Sequence, residues 1–166
     1  LLMSNVKECE CKIYFESLHP NAKLPINSEG NVGWDICCVS DDNFGNKSYS
    51  GSNKDKRITL YPGEKHVFST GLRAEITPGY AVLLWDRSGL SAKHSIHRLA
   101  GVIDSSYRGE WKICLVNLGN KSYDIEEGDK IIQGIVTRKI ETFVDWSTEP
   151  LSETNRGGQG FGSTGK

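Results

Sequence analysis

Apolar and polar residues alternate in short runs along most of this 166-residue chain. Residues 12–16 (Lys-Ile-Tyr-Phe-Glu), 66–70 (His-Val-Phe-Ser-Thr) and 72–76 (Leu-Arg-Ala-Glu-Ile) follow a period of two. That is the spacing of a strand with one buried face. Residues 80–85 (Tyr-Ala-Val-Leu-Leu-Trp) form a fuller apolar run, as a strand buried on both faces would. Residues 111–118 alternate cleanly, and residues 130–142 predict another long strand. Turn signals punctuate these runs at Pro62-Gly63, Pro78-Gly79 and Glu127-Gly128-Asp129. Helical periodicity is confined to one short stretch, Ser88–His94, about two turns long. Strands at this spacing, separated by Pro/Gly turns, predict an all-β barrel or sandwich of mostly antiparallel short strands.

Composition refines that picture. Eighteen glycines suit tight turns, and four Trp, six Tyr and five Phe suit strands. The length fits one domain, read as residues 1–151. Residues 40–56 are rich in Asp, Asn, Gly, Ser and Lys and predict a long polar surface insertion. Residues 152–166 are polar and glycine-rich, a tail that cannot bury enough apolar surface to order itself. Gly-Asn-Lys-Ser-Tyr occurs at 45–49 and again at 119–123, read as two similar turns. Twenty basic and 21 acidic residues leave a net charge of −1, so no bulk field favours nucleic acid or a membrane surface. No apolar run reaches spanning length. Residues 1–11 carry Lys7, Glu8 and Glu10 and do not read as a secretory leader. Cys9, Cys11, Cys37, Cys38 and Cys114 lack zinc-ribbon spacing and fit reduced thiols in a cytoplasmic protein.

Five clusters hold residue types that scaffolding does not require. Gly33-Trp34-Asp35-Ile36 places an acid at an apolar strand start. Asp86-Arg87-Ser88-Gly89 sets a cation, a hydroxyl and a glycine at a strand-to-helix junction, where backbone N–H groups can face phosphate. Gly101-Val102-Ile103-Asp104-Ser105-Ser106-Tyr107-Arg108-Gly109 puts a carboxylate and an aromatic ring three positions apart. Gln133 is an amide within an apolar strand. The tail Arg156-Gly157-Gly158-Gln159-Gly160-Phe161-Gly162-Ser163-Thr164-Gly165 sets an arginine, a ring and two hydroxyls on glycine backbone. Singly, each has a plain alternative: a cap, a hairpin turn, a satisfied strand amide or a linker.

Together, in this order and spacing, the five clusters resemble the motifs of the homotrimeric dUTPases, and the resemblance runs from about residue 32 to residue 165. It implies a distorted β jelly roll (β-clip) and hydrolysis of dUTP to dUMP and pyrophosphate by water attack at the α-phosphorus. It implies Asp104 as the general base. Leu99, Ala100, Gly101, Val102 and Ile103 would form the hairpin whose backbone pairs with uracil and excludes a 5-methyl group. Tyr107 would pack on the deoxyribose. Arg87, Ser88, Gly89 and Gln133 would contact the phosphates. Arg156, Phe161, Gly162, Ser163 and Thr164 would close over the nucleotide, with Phe161 on the uracil. Asp35 would support Mg²⁺ through water, the ion being held mainly by substrate phosphates. The implied partners are dUTP and two further copies of the chain, with sites shared between subunits.

Departures from the family pattern have their own expected consequences. Asp86 stands where an apolar residue or proline is usual, and would weaken phosphate affinity or pair with Arg87. Ser106 replaces a second aspartate. Lys130 replaces an arginine, keeping charge but losing the planar fork. Gln159 replaces a glycine. The 40–56 insertion is either decoration or a protein-binding loop. Two rival readings are a dCTP deaminase on the same fold and a dUTPase-fold regulatory protein with weak or lost catalysis.

Overall fold

The computed structural model describes residues 9–41 and 57–158. Eleven strands and one short helix occur among them: β1 (Ile13–Ser17), β2 (Trp34–Cys37), β3 (Arg57–Leu60), β4 (Lys65–Ser69), β5 (Leu72–Ile76), β6 (Tyr80–Trp85), α1 (Ser88–His94), β7 (Ile96–Arg98), β8 (Val102–Asp104), β9 (Lys112–Asn117), β10 (Tyr123–Glu126) and β11 (Lys130–Arg138). The strands pair antiparallel in four small sheets, ordered β1-β5, β10-β3, β2-β11-β6-β8 and β4-β9-β7. Sequential strands seldom neighbour one another, which is the jelly-roll habit of folding a ribbon back across itself.

The inward positions of these strands make one core. Ile36, Leu60, Phe68, Ile76, Val82, Ile113, Leu115, Ile125 and Ile132 come from eight different strands, β9 giving two of them, and are almost completely buried. Trp111 is fully buried and meets Phe15 edge-on, with ring centroids 5.1 Å apart. Burying such rings supplies much of the driving force for closing small sheets on one another. Asn117, also fully buried, is satisfied by backbone. Its Nδ2 donates to the Leu60 and Lys121 carbonyls, each at 2.8 Å, and its Oδ1 accepts the Gly119 N–H at 2.8 Å. One side chain thereby ties β3 and β9 to the Gly-Asn-Lys-Ser-Tyr turn at 119–123. The copy of that pentapeptide at 45–49 lies outside the described residues, as does the insertion beyond Asp41.

Two strand expectations change. β6 is not buried on both faces: Val82 and Leu84 point into the core, whereas Leu83 is half-buried and Trp85 exposed. Its apolar outer face is partly covered by the Arg98 guanidinium, 5.0 Å from the Trp85 ring. β11 ends at Arg138 rather than at residue 142. The partner strand begins at Tyr80, and Lys139 N–H to Gly79 carbonyl is the last bond beyond it. Residues 140–151 keep a strand-like apolar content but have no strand partner among the described residues. Their large apolar side chains, Ile140, Phe143, Val144, Trp146 and Leu151, are at least 80 % exposed.

Cys37 and Cys38 are buried, and neighbours along an extended chain point to opposite faces. Burial pushes the Cys38 thiol up to about 12, so it stays protonated. No described helix is long and apolar enough to cross a membrane.

Candidate active site

β8 is an edge strand, paired to β6 on one side only, so its other edge presents main-chain N–H and C=O groups. Residues 99–101, which lead into it, are pinned at both ends: Leu99 N–H donates to the Cys114 carbonyl (3.0 Å), and Leu84 N–H donates to the Gly101 carbonyl (2.8 Å). Gly101 has no room for a side chain. A Cβ there would stand 2.7 Å from Arg98 Nη1 and 2.9 Å from the Leu84 carbonyl oxygen. Ile103 anchors β8 in the core, and the alternation of the strand turns Val102 and Asp104 outward.

Beside this edge lies a concavity of about 250 Å³, lined by residues 100–104 together with Leu84, Tyr107, Glu110 and Cys114. Asp104 ends the strand, and its carbonyl accepts the Tyr107 N–H at 3.1 Å, forming the turn that brings the tyrosine back. The Tyr107 hydroxyl donates to the Glu110 carbonyl at 2.9 Å and its ring crosses Gly109, where a Cβ would collide with the phenol. The glycine is therefore what lets the ring lie flat along the pocket wall. Gly109→Ala is expected to displace Tyr107 and raise KM for a nucleotide by roughly tenfold, about 1.4 kcal/mol of binding. Steady-state kinetics beside a thermal melt would check it; an unchanged KM would remove Tyr107 from the pocket.

A second group of candidates gathers on the other end of the sheet. The Asp35 carboxylate accepts Arg87 Nε at 2.8 Å and Lys130 Nζ at 2.9 Å, and Arg87 Nη1 donates to the Lys130 carbonyl at 3.0 Å. Burial alone would push the Asp35 carboxyl up. Hydrogen bonds from Lys130 and Arg87 outweigh it and hold the group below its ordinary value. The aspartate thus directly orients two cations, a contact that the water-mediated metal role did not anticipate. The sign of its linkage is fixed: the pairs stabilise above the unfolded value of about 3.9 and that stability is lost as pH falls through the lowered folded value. The stability difference between wild type and Asp35→Asn in urea should be flat from pH 8 to about pH 5 and vanish only below about pH 4.

Gln133 sits opposite Asp35 across β2 and β11, and its Nε2 donates to the Asp86 carbonyl at 2.8 Å. Its amide oxygen fills the space in front of Gly33, where a Cβ would stand 2.6 Å away. Ser88 and Gly89 are exposed, and among the described residues nothing beyond its own helix and chain neighbours lies within 4 Å of the position a Gly89 side chain would take. Asp86 does not pair with Arg87, whose Nε is held by Asp35. Its carboxylate instead meets His97 Nδ1 at 2.6 Å and accepts the Arg98 N–H at 2.9 Å. Only its unusual identity within the second motif drew notice to it in the sequence, since partners 11 and 12 positions away across a helix leave no local spacing signal.

The two groups are separate within one protomer. Asp104 pairs with Ala81, whereas Gln133 pairs with Trp85, four positions further along β6, or about 13 Å. The concavity of about 470 Å³ beside Asp35, Lys130 and Gln133 shares no lining residue with the one beside Asp104. Arg156 is exposed in the turn at 155–158, while Phe161, Gly162, Ser163, Thr164 and Gln159 lie outside the described residues. Among the described residues, no group of three or more His, Cys, Asp or Glu is placed to hold a metal ion.

Known proteins are similar to this chain in sequence and in shape. The dUTPase family profile matches residues 53–165. A deoxyuridine 5'-triphosphate nucleotidohydrolase of Wolinella succinogenes is 40 % identical over 167 aligned positions, covering 99 % of each chain. The dUTPase of Staphylococcus bacteriophage 80alpha, solved with dUPNHPP, superposes with a TM-score of 0.76 at 26 % identity, over 93 % of this chain and 99 % of its own. A variant dUTPase of S. aureus phage phi11, whose structure concerns the coordination of a structural Mg(II) ion, superposes at 0.68 and 24 % identity, over 83 % and 97 %. A profile match spanning both the edge-strand pocket and the polar tail, with a near full-length relative, identifies the chain as a member of the dUTPase family.

Proposed function

We propose that this chain hydrolyses dUTP to dUMP and pyrophosphate, limiting dUTP and supplying dUMP for thymidylate synthesis. The observation that carries the reading is the pocket along the β8 edge, with Asp104 at the end of its strand and the Tyr107 ring on its wall. A flat pyrimidine edge can pair with main-chain groups at residues 99–103, and a wall built of backbone leaves no space for a 5-methyl group. Tyr107 packs against the deoxyribose and crowds out a 2′-hydroxyl. Asp104 accepts a proton from water as that water attacks the α-phosphorus, and pyrophosphate departs in line. Arg87, Ser88, Gly89 and Gln133 hold the phosphates, and the cation pair on Asp35 presents positive charge to them.

When bound with the triphosphate, Mg²⁺ would neutralise phosphate charge and polarise the leaving group. Each Asp35 oxygen keeps a further lone pair beyond its ion pair, so the carboxylate can also accept a metal-bound water. Residues 1–151 act as one domain, and the tail 152–166 supplies Arg156, Phe161, Gly162, Ser163 and Thr164 when the full triphosphate is present.

The assembly is a homotrimer with shared sites. The separation of the Asp104 pocket from the Arg87–Gln133 group supports it, because one protomer offers a nucleoside half and a phosphate half in different places. The apolar arm at 140–151 supports it as well, since side chains so exposed need a second copy to cover them. The unpaired buried thiols suit a reducing, cytoplasmic setting.

The test is pyrophosphate release from dUTP, dTTP, dCTP and UTP with Mg²⁺. Turnover of dUTP alone is expected. Release of ammonia from dCTP, or binding of dUTP with no turnover, would overturn the assignment.

A further inference from the structure

We infer that Asp86 is a positioning residue for triphosphate recognition, fixing the backbone at 87–89 by bonding β7 through its carboxylate and Gln133 through its carbonyl. The inference rests on the reading above, that residues 87–89 and Gln133 face the phosphates.

The helix that follows cannot hold this junction by itself. α1 has seven residues, none of them buried, and Arg87 at its N-cap makes no side-chain capping bond. Leu90 rests against the core and the Ser95 N–H closes the C-terminal end, so the N-terminal turn, which has no side-chain cap, is the end that frays. The bonds of Asp86 compensate. One carboxylate oxygen meets His97 Nδ1 at 2.6 Å, the other accepts the Arg98 N–H at 2.9 Å, and the carbonyl accepts Gln133 Nε2 at 2.8 Å. The chain leaves α1 through Ser95, in the left-handed region at φ 56°, and turns directly into β7. Asp86 and His97 therefore bracket the helix from both ends, and the Asp86 side chain is only 21 % exposed, with its bond to the Arg98 N–H the better shielded of the two.

The nucleoside pocket touches the bracket through Arg98, whose Nη1 donates to the Ala100 carbonyl at 3.3 Å, but it has backbone anchors of its own. Residues 99–101 keep the Leu99–Cys114 and Leu84–Gly101 backbone bonds, and β7 keeps its register with β9. The Arg87 side chain is likewise held elsewhere, by Asp35 and the Lys130 carbonyl. Loss of the Asp86 carboxylate should thus loosen the backbone at 87–89 while leaving the pyrimidine and sugar contacts in place. This predicts an asymmetry between ligands that a general folding role would not produce.

The experiment measures KM and kcat for dUTP, the inhibition constant for deoxyuridine and the melting temperature in Asp86→Ala, Asp86→Asn and His97→Ala. Asp86→Ala is expected to raise KM for dUTP by about 100-fold, the scale of a misplacement near 1 Å. Its inhibition constant for deoxyuridine, which has no phosphate, should stay within about twofold. Asp86→Asn keeps an acceptor for the Arg98 N–H, and His97→Ala removes one bond of three, so each should lie near tenfold. The Asp86→Ala/His97→Ala double variant should be no worse than Asp86→Ala, because both remove the same contact. A dUTP KM unchanged within about twofold in Asp86→Ala would overturn the inference. So would equal weakening of dUTP and deoxyuridine accompanied by a fall in melting temperature. Should Asp86→Ala fail to fold, the asparagine and histidine variants carry the same two readouts. Wild-type protein inactive on dUTP would instead overturn the functional reading, a different failure from an active wild type with an indifferent Asp86→Ala.

Discussion

Replacing Asp104 with asparagine is expected to lower kcat for dUTP by about 10²–10⁴-fold, the range for loss of a positioned proton acceptor. The substitution is nearly isosteric, and the turn that sets the residue uses its backbone carbonyl, which bonds the Tyr107 N–H and survives the change. KM should therefore move little, since what is removed acts on the attacking water and not on the bound nucleotide. Pyrophosphate release gives the rate, and titration with a non-hydrolysable dUTP analogue gives the binding. A variant with more than about a tenth of wild-type kcat would transfer the role of base elsewhere, because an amide takes no proton at neutral pH.

Phe143→Asp with Trp146→Asp is expected to convert the proposed trimer to monomer and to abolish turnover at micromolar concentration. These two rings are 89 % and 93 % exposed in the protomer. Covering each with a neighbouring copy is worth about 1.5–3 kcal/mol. Three arms repeat that gain around the ring, so even the lower figure sums to about 9 kcal/mol, enough to decide assembly. Charged substitutes would place carboxylates against apolar surface and reverse the sign. On the proposed assignment the nucleoside and phosphate halves stand apart in one chain, and a monomer would hold neither site complete. Sedimentation beside activity at the same concentration tests both statements. A monomeric double variant with full specific activity would sink the shared-site arrangement, and a fully trimeric one would remove the arm from the interface.

Much of this was legible in the sequence where the determinants are local. The helix at 88–94 falls where its short periodicity placed it, and β5 and β6 keep the bounds that their alternation and Pro-Gly turns suggested. The motifs carried the family because they combine several residue types at fixed spacing. What was not legible depends on partners distant in sequence. Asp35 faces Arg87 and Lys130 from 52 and 95 positions away, so its ion pairs had no local signature. The segment at 139–142 is as strand-like as the rest of β11, but a strand needs a neighbour, and β6 has run out by then. The outer face of β6 misled for a related reason: an apolar run reports that a surface will be covered and does not say by what. An arginine from β7 lies over part of it.

The edge of β8 has a consequence for how this protein can change over time. If the pyrimidine is read by main-chain groups, the recognition is written in atoms that every amino acid shares. Point mutations along residues 99–103 then have little purchase on specificity, and selection by an inhibitor mimicking the pyrimidine edge would find few escape routes there. Gly101 is the exception, since any side chain at that position meets Arg98 and the Leu84 carbonyl within 3 Å. A resistant lineage would have to move the backbone itself, which the core beneath Ile103 opposes, so compounds directed at this edge should meet resistance arising at the tail or the phosphate half instead.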